Sequence, residues 1–171
     1  AVPAMTGALA DSLCSALSVT LIGRRSKHRA GTRYLTRGAD LSGSVANAVE
    51  TEQLVNVVRV AGEPLQMSFV QVRGSVPVLW EQKGIKYRPA PRVIGDREQN
   101  LTAFVRHLDD TKELYGTEKI TAVSLLDQQG NEAELHQLFS SLCNEHHVSF
   151  VGFDFHSVCR GNRFENVEQL V

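Results

Sequence analysis

Residues 119–155 read KITAVSLLDQQGNEAELHQLFSSLCNEHHVSFVGFDF, and this stretch decides the fold. Lys119 to Leu126 is a short apolar run suited to a buried strand, and Asp127-Gln128-Gln129-Gly130 is turn chemistry. The spacing predicts a helix next, with Asn131 as its cap, Glu134 as the capping-box partner, and Leu135, Leu138, Phe139 and Leu142 forming one apolar stripe. Val148 to Phe155 reads as a second apolar strand. Strand, helix and strand joined by short connections make a βαβ unit, with parallel strands and a right-handed crossover. The expected fold class is α/β.

Upstream, a further helix is expected from Asp96 to about Tyr115, because Leu101, Phe104, Val105 and Leu108 repeat the stripe and Gly116 offers a stop. Its polar face carries mixed charges and needs no special function. Leu17 to Gly23, Leu54 to Val60 and Gln66 to Arg73 are β-branched or alternating and read as strands, punctuated by Gly62, Gly74 and Pro77. Together with the parallel unit they suggest a mixed sheet. Lys83 to Gly95, with Pro89 and Pro91, reads as an extended connector rather than a domain boundary. Phe164, Val167 and Val171 recur at helical spacing, so a helix is expected to be starting where the sequence stops. No internal repeat or low-complexity tract is present.

At 171 residues, 42% of them hydrophobic, the chain can bury one core, and a single compact unit is the default expectation. Eighteen Lys and Arg stand against 19 Asp and Glu, a formal charge of -1, so nothing global marks a nucleic-acid or membrane-surface protein. The three cysteines, Cys14, Cys143 and Cys159, are widely spaced and odd in number, giving neither a disulfide framework nor paired metal-ligand spacing. That usage fits a reducing, cytosolic setting. No apolar run approaches the roughly 20 residues that span a bilayer, and the opening residues show no charged n-region followed by an apolar h-region.

Against this balance one segment stands out. RRSKHRAGTRYLTR, from Arg24 to Arg37, holds Arg24, Arg25, Lys27, Arg29, Arg33 and Arg37 without an acid. Arginine forks bind phosphate oxygens in pairs, and Gly31 and Gly38 allow close backbone approach, so a polyanionic ligand is the natural partner. A solvated basic face or a nucleic-acid patch would show the same charges. The following Asn47-Ala48-Val49-Glu50-Thr51-Glu52-Gln53 favours the ligand reading, since its acids can hold arginines in fixed rotamers. Gln71 and Arg73 share a strand face just before Gly74 and Pro77 turn the chain. Trp80 reads first as a core aromatic and second as a stacking platform. Asp154 and His156 stand at the carboxyl end of a predicted parallel strand, where open α/β sheets place their sites, although His156 also suits a structural role.

Three motifs in order, RRSKHRAGTRYLTRGADLSGSVANAVETEQ, SFVQVRGSVPVLWEQ and FDFHSVCRGNRFENV, closely resemble the Sac family of phosphoinositide phosphatases. The likeness runs from about Leu21 to Val167. It implies an incomplete cysteine-phosphatase-like catalytic domain, acting on inositol lipids at the cytosolic face of endomembranes, with the 4-phosphate as the expected substrate position. It also implies a metal-free mechanism in which the cysteine of a Cys-x5-Arg loop attacks phosphorus and forms a phosphocysteine. No cofactor and no nucleic acid is implied; the partners are a phosphoinositide headgroup and a membrane surface.

The six-residue offset finds Thr20 after Cys14, Ser149 after Cys143 and Glu165 after Cys159, so no cysteine here heads that loop. The resemblance therefore implies the first half of the catalytic domain, residues 1–171 forming a partial Sac domain. The nucleophile is expected beyond Val171 and an N-terminal subdomain before Ala1. Carried over onto the motifs, Arg33, Arg37, Arg73 and His156 are expected to bind substrate, with Asn47, Glu50, Glu52 and Asp154 in support. Cys159 beside Arg160 as a reactive thiol, and Cys143 with His146 and His147 as metal ligands, are weaker readings of the same sequence. The rival function is a headgroup-binding module or inactive fragment that keeps the basic pocket without hydrolysis. A nucleic-acid-binding domain would leave VETEQ and SFVQVRGSVP unexplained.

Overall fold

The computed structural model describes residues 14–32, 35–83 and 89–170. The chain divides into two compact units, Ala1–Ser26 with Ala48–Arg73, and Lys27–Asn47 with Gly74–Val171.

The first unit is a three-stranded antiparallel sheet in the order β1 (Cys14–Arg25), β2 (Val49–Arg59), β3 (Leu65–Arg73). Its register sets Leu21 opposite Gln53 and Gln53 opposite Phe69, while Arg24 faces Glu50 and Glu50 faces Val72. Because side chains alternate across a sheet, Leu17, Val19, Leu21, Val55, Val57, Met67 and Phe69 share one face. Arg24, Glu50 and Glu52 share the other.

The second unit carries the core. β4 (Trp80–Glu81) and β5 (Arg92–Val93) pair antiparallel and lead into α1 (Arg97–Tyr115). The predicted boundaries of α1 hold, and the capping explains why. Asp96 accepts from the Gln99 amide, Gln99 reaches back to the Asp96 amide, and Gly116 closes the helix in the left-handed conformation at φ 58°. β6 (Thr121–Ser124), α2 (Ala133–Glu145) and β7 (Ser149–Gly152) form the expected βαβ unit, with Ala122 beside Phe150 in parallel register. Val78, Trp80, Phe104, Leu108, Leu135, Phe139, Leu142, Cys143 and Val148 make one buried cluster, with Phe104 edge-on to Phe139 at 6.3 Å between ring centroids. The buried Asn100 side chain fastens α1 beneath β4 and β5. It accepts from the Leu79 amide at 2.8 Å and donates to the Ile94 and Asp96 carbonyls, both at 2.9 Å.

Four expectations change. The single compact unit expected from the chain's length is two units. The parallel and antiparallel strands lie in separate sheets instead of one mixed sheet, since β6 and β7 pair only with each other among the described residues. Asn131 does not cap α2: a 3₁₀ turn, Gly130–Glu132, precedes the helix, and the Glu132 carboxylate bonds the Asp127 amide at 2.9 Å. The final segment, Phe164–Leu170, is a 3₁₀ helix in place of an α-helix. Trp80 is a core aromatic as first read, its indole N–H donating to the Val76 carbonyl at 3.3 Å. Among the described residues no helix is long and apolar enough to cross a membrane.

Candidate functional site

The expected site residues fall into three groups. The first is the part of the basic segment that lies in the second unit, a loop that folds upon itself. Arg29, at φ 48°, donates to the Arg37 carbonyl at 2.8 Å and lies 3.9 Å from Asp40. Burial pushes the Asp40 carboxyl up, but hydrogen bonds from the Ser42 hydroxyl and the Ser44 and Ser42 amides outweigh it and hold its pKa below the usual value. Asn47 knots the loop: its Oδ1 accepts from the Gly31 amide at 3.3 Å, its Nδ2 donates to the Thr36 carbonyl at 3.4 Å, and its own backbone takes a left-handed φ of 55°. Arg37 donates through Nε to Gln82 at 3.1 Å and lays its guanidinium 5.5 Å from the centre of the Trp80 ring. Gly38, at φ 68°, passes so close to the Trp80 backbone that a Cβ there would stand 2.6 Å from its carbonyl oxygen. Arg33 lies outside the described residues.

The second group is on the sheet. Glu50 and Glu52 both grip Arg24, at 2.6 and 2.8 Å, so the acids after the basic run do hold an arginine, as their proximity suggested. Hydrogen bonds to Glu52 and then Glu50 raise the Arg24 pKa. Arg73 is exposed and pairs in register with Val49, which puts it on the face opposite Glu50 and Glu52.

The third group lies past the carboxyl ends of β6 and β7. Asp154 caps the short helix α3 (Phe155–Val158) by accepting from the Ser157 amide at 2.9 Å, and it also takes the Gln128 amide at 3.5 Å. His156 Nδ1 lies 2.9 Å from an Asp127 carboxylate oxygen. Sequence reasoning gave Asp127 to the turn alone. The available signal was position, since Asp127 stands three residues past Ser124 and His156 four past Gly152, the paired ends of adjacent strands.

The cysteine readings come out plainly. Cys143 is wholly buried, and burial pushes its thiol up to about 12, opposite to what a ligand or nucleophile needs. Cys159 is buried as well. Among the described residues no three of His, Cys, Asp and Glu gather as a metal site.

Residues 2–160 match the model of the SacI homology domain, and the chain belongs to that family. It is 42% identical to the human phosphatidylinositide phosphatase SAC2 over 173 residues, covering 98% of this chain and 14% of that protein. The zebrafish (Danio rerio) protein of the same name is 44% identical over 165 residues, 94% of this chain and 14% of the relative. The phosphatidylinositol-3-phosphatase SAC1 of Saccharomyces cerevisiae is 39% identical over 168 residues, 94% of this chain and 26% of the relative. The chain thus spans about a seventh to a quarter of the length of these relatives.

Proposed function

We propose that this chain is part of a phosphoinositide phosphatase that removes a phosphate monoester, read as the 4-phosphate, from inositol lipids at the cytosolic face of endomembranes. The observation that carries the reading is the match to the SacI homology domain over nearly the whole chain, with relatives named for phosphoinositide phosphatase activity. By their motifs, Arg33, Arg37 and Arg73 are each read as phosphate-binding arginines, whose forks can donate in pairs, and His156 as a residue that can donate through a single N–H. Asn47 and Glu50 with Glu52 serve by fixing the loop and Arg24. Asp154 serves by fixing the turn that carries His156.

No cysteine here has an arginine six residues on, so the mechanism requires a Cys-x5-Arg loop that these 171 residues do not contain. Thiolate attack on phosphorus would form a P–S bond as the P–O bond to inositol breaks and the inositol oxygen takes up a proton; water then cleaves the phosphocysteine, releasing inorganic phosphate and the thiolate. The intact protein should release phosphate from vesicles containing phosphatidylinositol 4-phosphate with metal chelated. Replacing the cysteine of that loop by serine should abolish release. Activity that survives the replacement sinks the mechanism, and headgroup binding without any hydrolysis would instead make the protein a binding module.

A further inference from the structure

We propose that Asp127 is a positioning residue for His156, orienting the imidazole so that Nε2 meets a phosphate oxygen of the inositol headgroup. The inference rests on the phosphoinositide reading above and adds to it a residue that acts through another. A carboxylate can only accept, so at 2.9 Å the Nδ1 nitrogen of His156 must be the donor to Asp127. That bond holds a proton on Nδ1 and turns Nε2 to the opposite side of the ring, where it can donate to a phosphate oxygen only when it carries a proton of its own. When protonated, the ring donates from Nδ1 to Asp127 and from Nε2 to a phosphate oxygen at once.

The neighbouring carboxylates are otherwise occupied, while the buried Nδ1 of His136 has no hydrogen-bond partner among the described residues. Asp154 is taken by the Ser157 and Gln128 amides, and Glu132 by the Asp127 amide. His136 packs edge-on against the Phe150 ring at 5.6 Å. Glu132 holds the Asp127 backbone, and among the described residues the Asp127 side chain bonds His156. Both residues follow the carboxyl ends of paired parallel strands, where α/β folds place ligand-contacting groups. The His156 side chain is 65% exposed, so its far edge is open to a ligand.

The test is a double-mutant cycle on the intact protein, titrated calorimetrically with inositol 1,4-bisphosphate. Asp127→Asn alone should weaken binding by about fivefold, the upper range for an exposed ion pair. In a His156→Ala background the same substitution should cost nothing further, and Asp127→Glu should restore part of the loss. An equal loss in both backgrounds means a merely structural Asp127 and overturns the inference. So does an unchanged affinity in Asp127→Asn. Wild-type protein that binds no inositol 1,4-bisphosphate overturns the phosphoinositide reading itself, a result distinct from either.

Discussion

The antiparallel sheet and the α/β unit use the same kinds of apolar side chain to opposite effect. Leu17, Val19, Leu21, Met67 and Phe69 in the sheet are 47–66% exposed, whereas Phe104, Leu135 and Leu142 in the α/β unit are 0–1% exposed. Alternation along a strand sorts side chains onto two faces but supplies nothing to cover either. A helical stripe brings its own partner when the next element folds back, as α2 does on β6 and β7. The sheet is thus held by its backbone ladder, whereas the α/β unit buries a core on its helical side, although Val123 and Val151 on its strands stay exposed.

The contrast breaks most visibly at its two phenylalanines. Phe104→Ala should cost about 3–5 kcal/mol, a buried aromatic lost from a close-packed cluster, whereas Phe69→Ala should stay within about 0.5 kcal/mol. Chemical denaturation of both variants checks this, and comparable losses would mean that the sheet face is covered in solution. A second, smaller effect follows acid. Burial lowers the His107 pKa, although its bond to the Gly43 carbonyl opposes that, so the unfolded chain takes up this proton more readily than the folded one. The stability from neutral His107 is therefore complete above about pH 6.5 and is lost as pH falls through the lower folded value. His107→Gln, which can still donate to Gly43, should flatten that part of a pH–stability curve. The smallest effect belongs to the sheet's charges: Arg24→Gln should lower the thermal midpoint slightly in dilute buffer, and the difference should vanish in about 1 M salt, because the ion pairs to Glu50 and Glu52 are exposed.

What the sequence made legible was local. The ends of α1 could be read from Asp96 and Gly116 because caps act within one turn, and the βαβ unit from periodicity. The cap of α2 could not be read, since Glu132 was drawn to the Asp127 amide across the turn. Nor could the division into separate sheets, because strand partners are chosen by distant residues. At the candidate site, the motif residues were visible but their employment was not. Asn47 works by a left-handed backbone and two side-chain bonds, and Asp127 by a bond spanning 29 residues. Such roles depend on which loops meet, which no single stretch encodes.

The Asn100 carboxamide gives the fold a vulnerability to ageing. Hydrolysis of that amide to an acid would replace an NH₂ facing the Ile94 and Asp96 carbonyls with an oxygen, turning two attractions into two repulsions. One atom exchanged beneath the strap of β4 and β5 would unlatch α1 without removing any bulk. Its enclosure, at 2% exposure, keeps out the water that such chemistry needs.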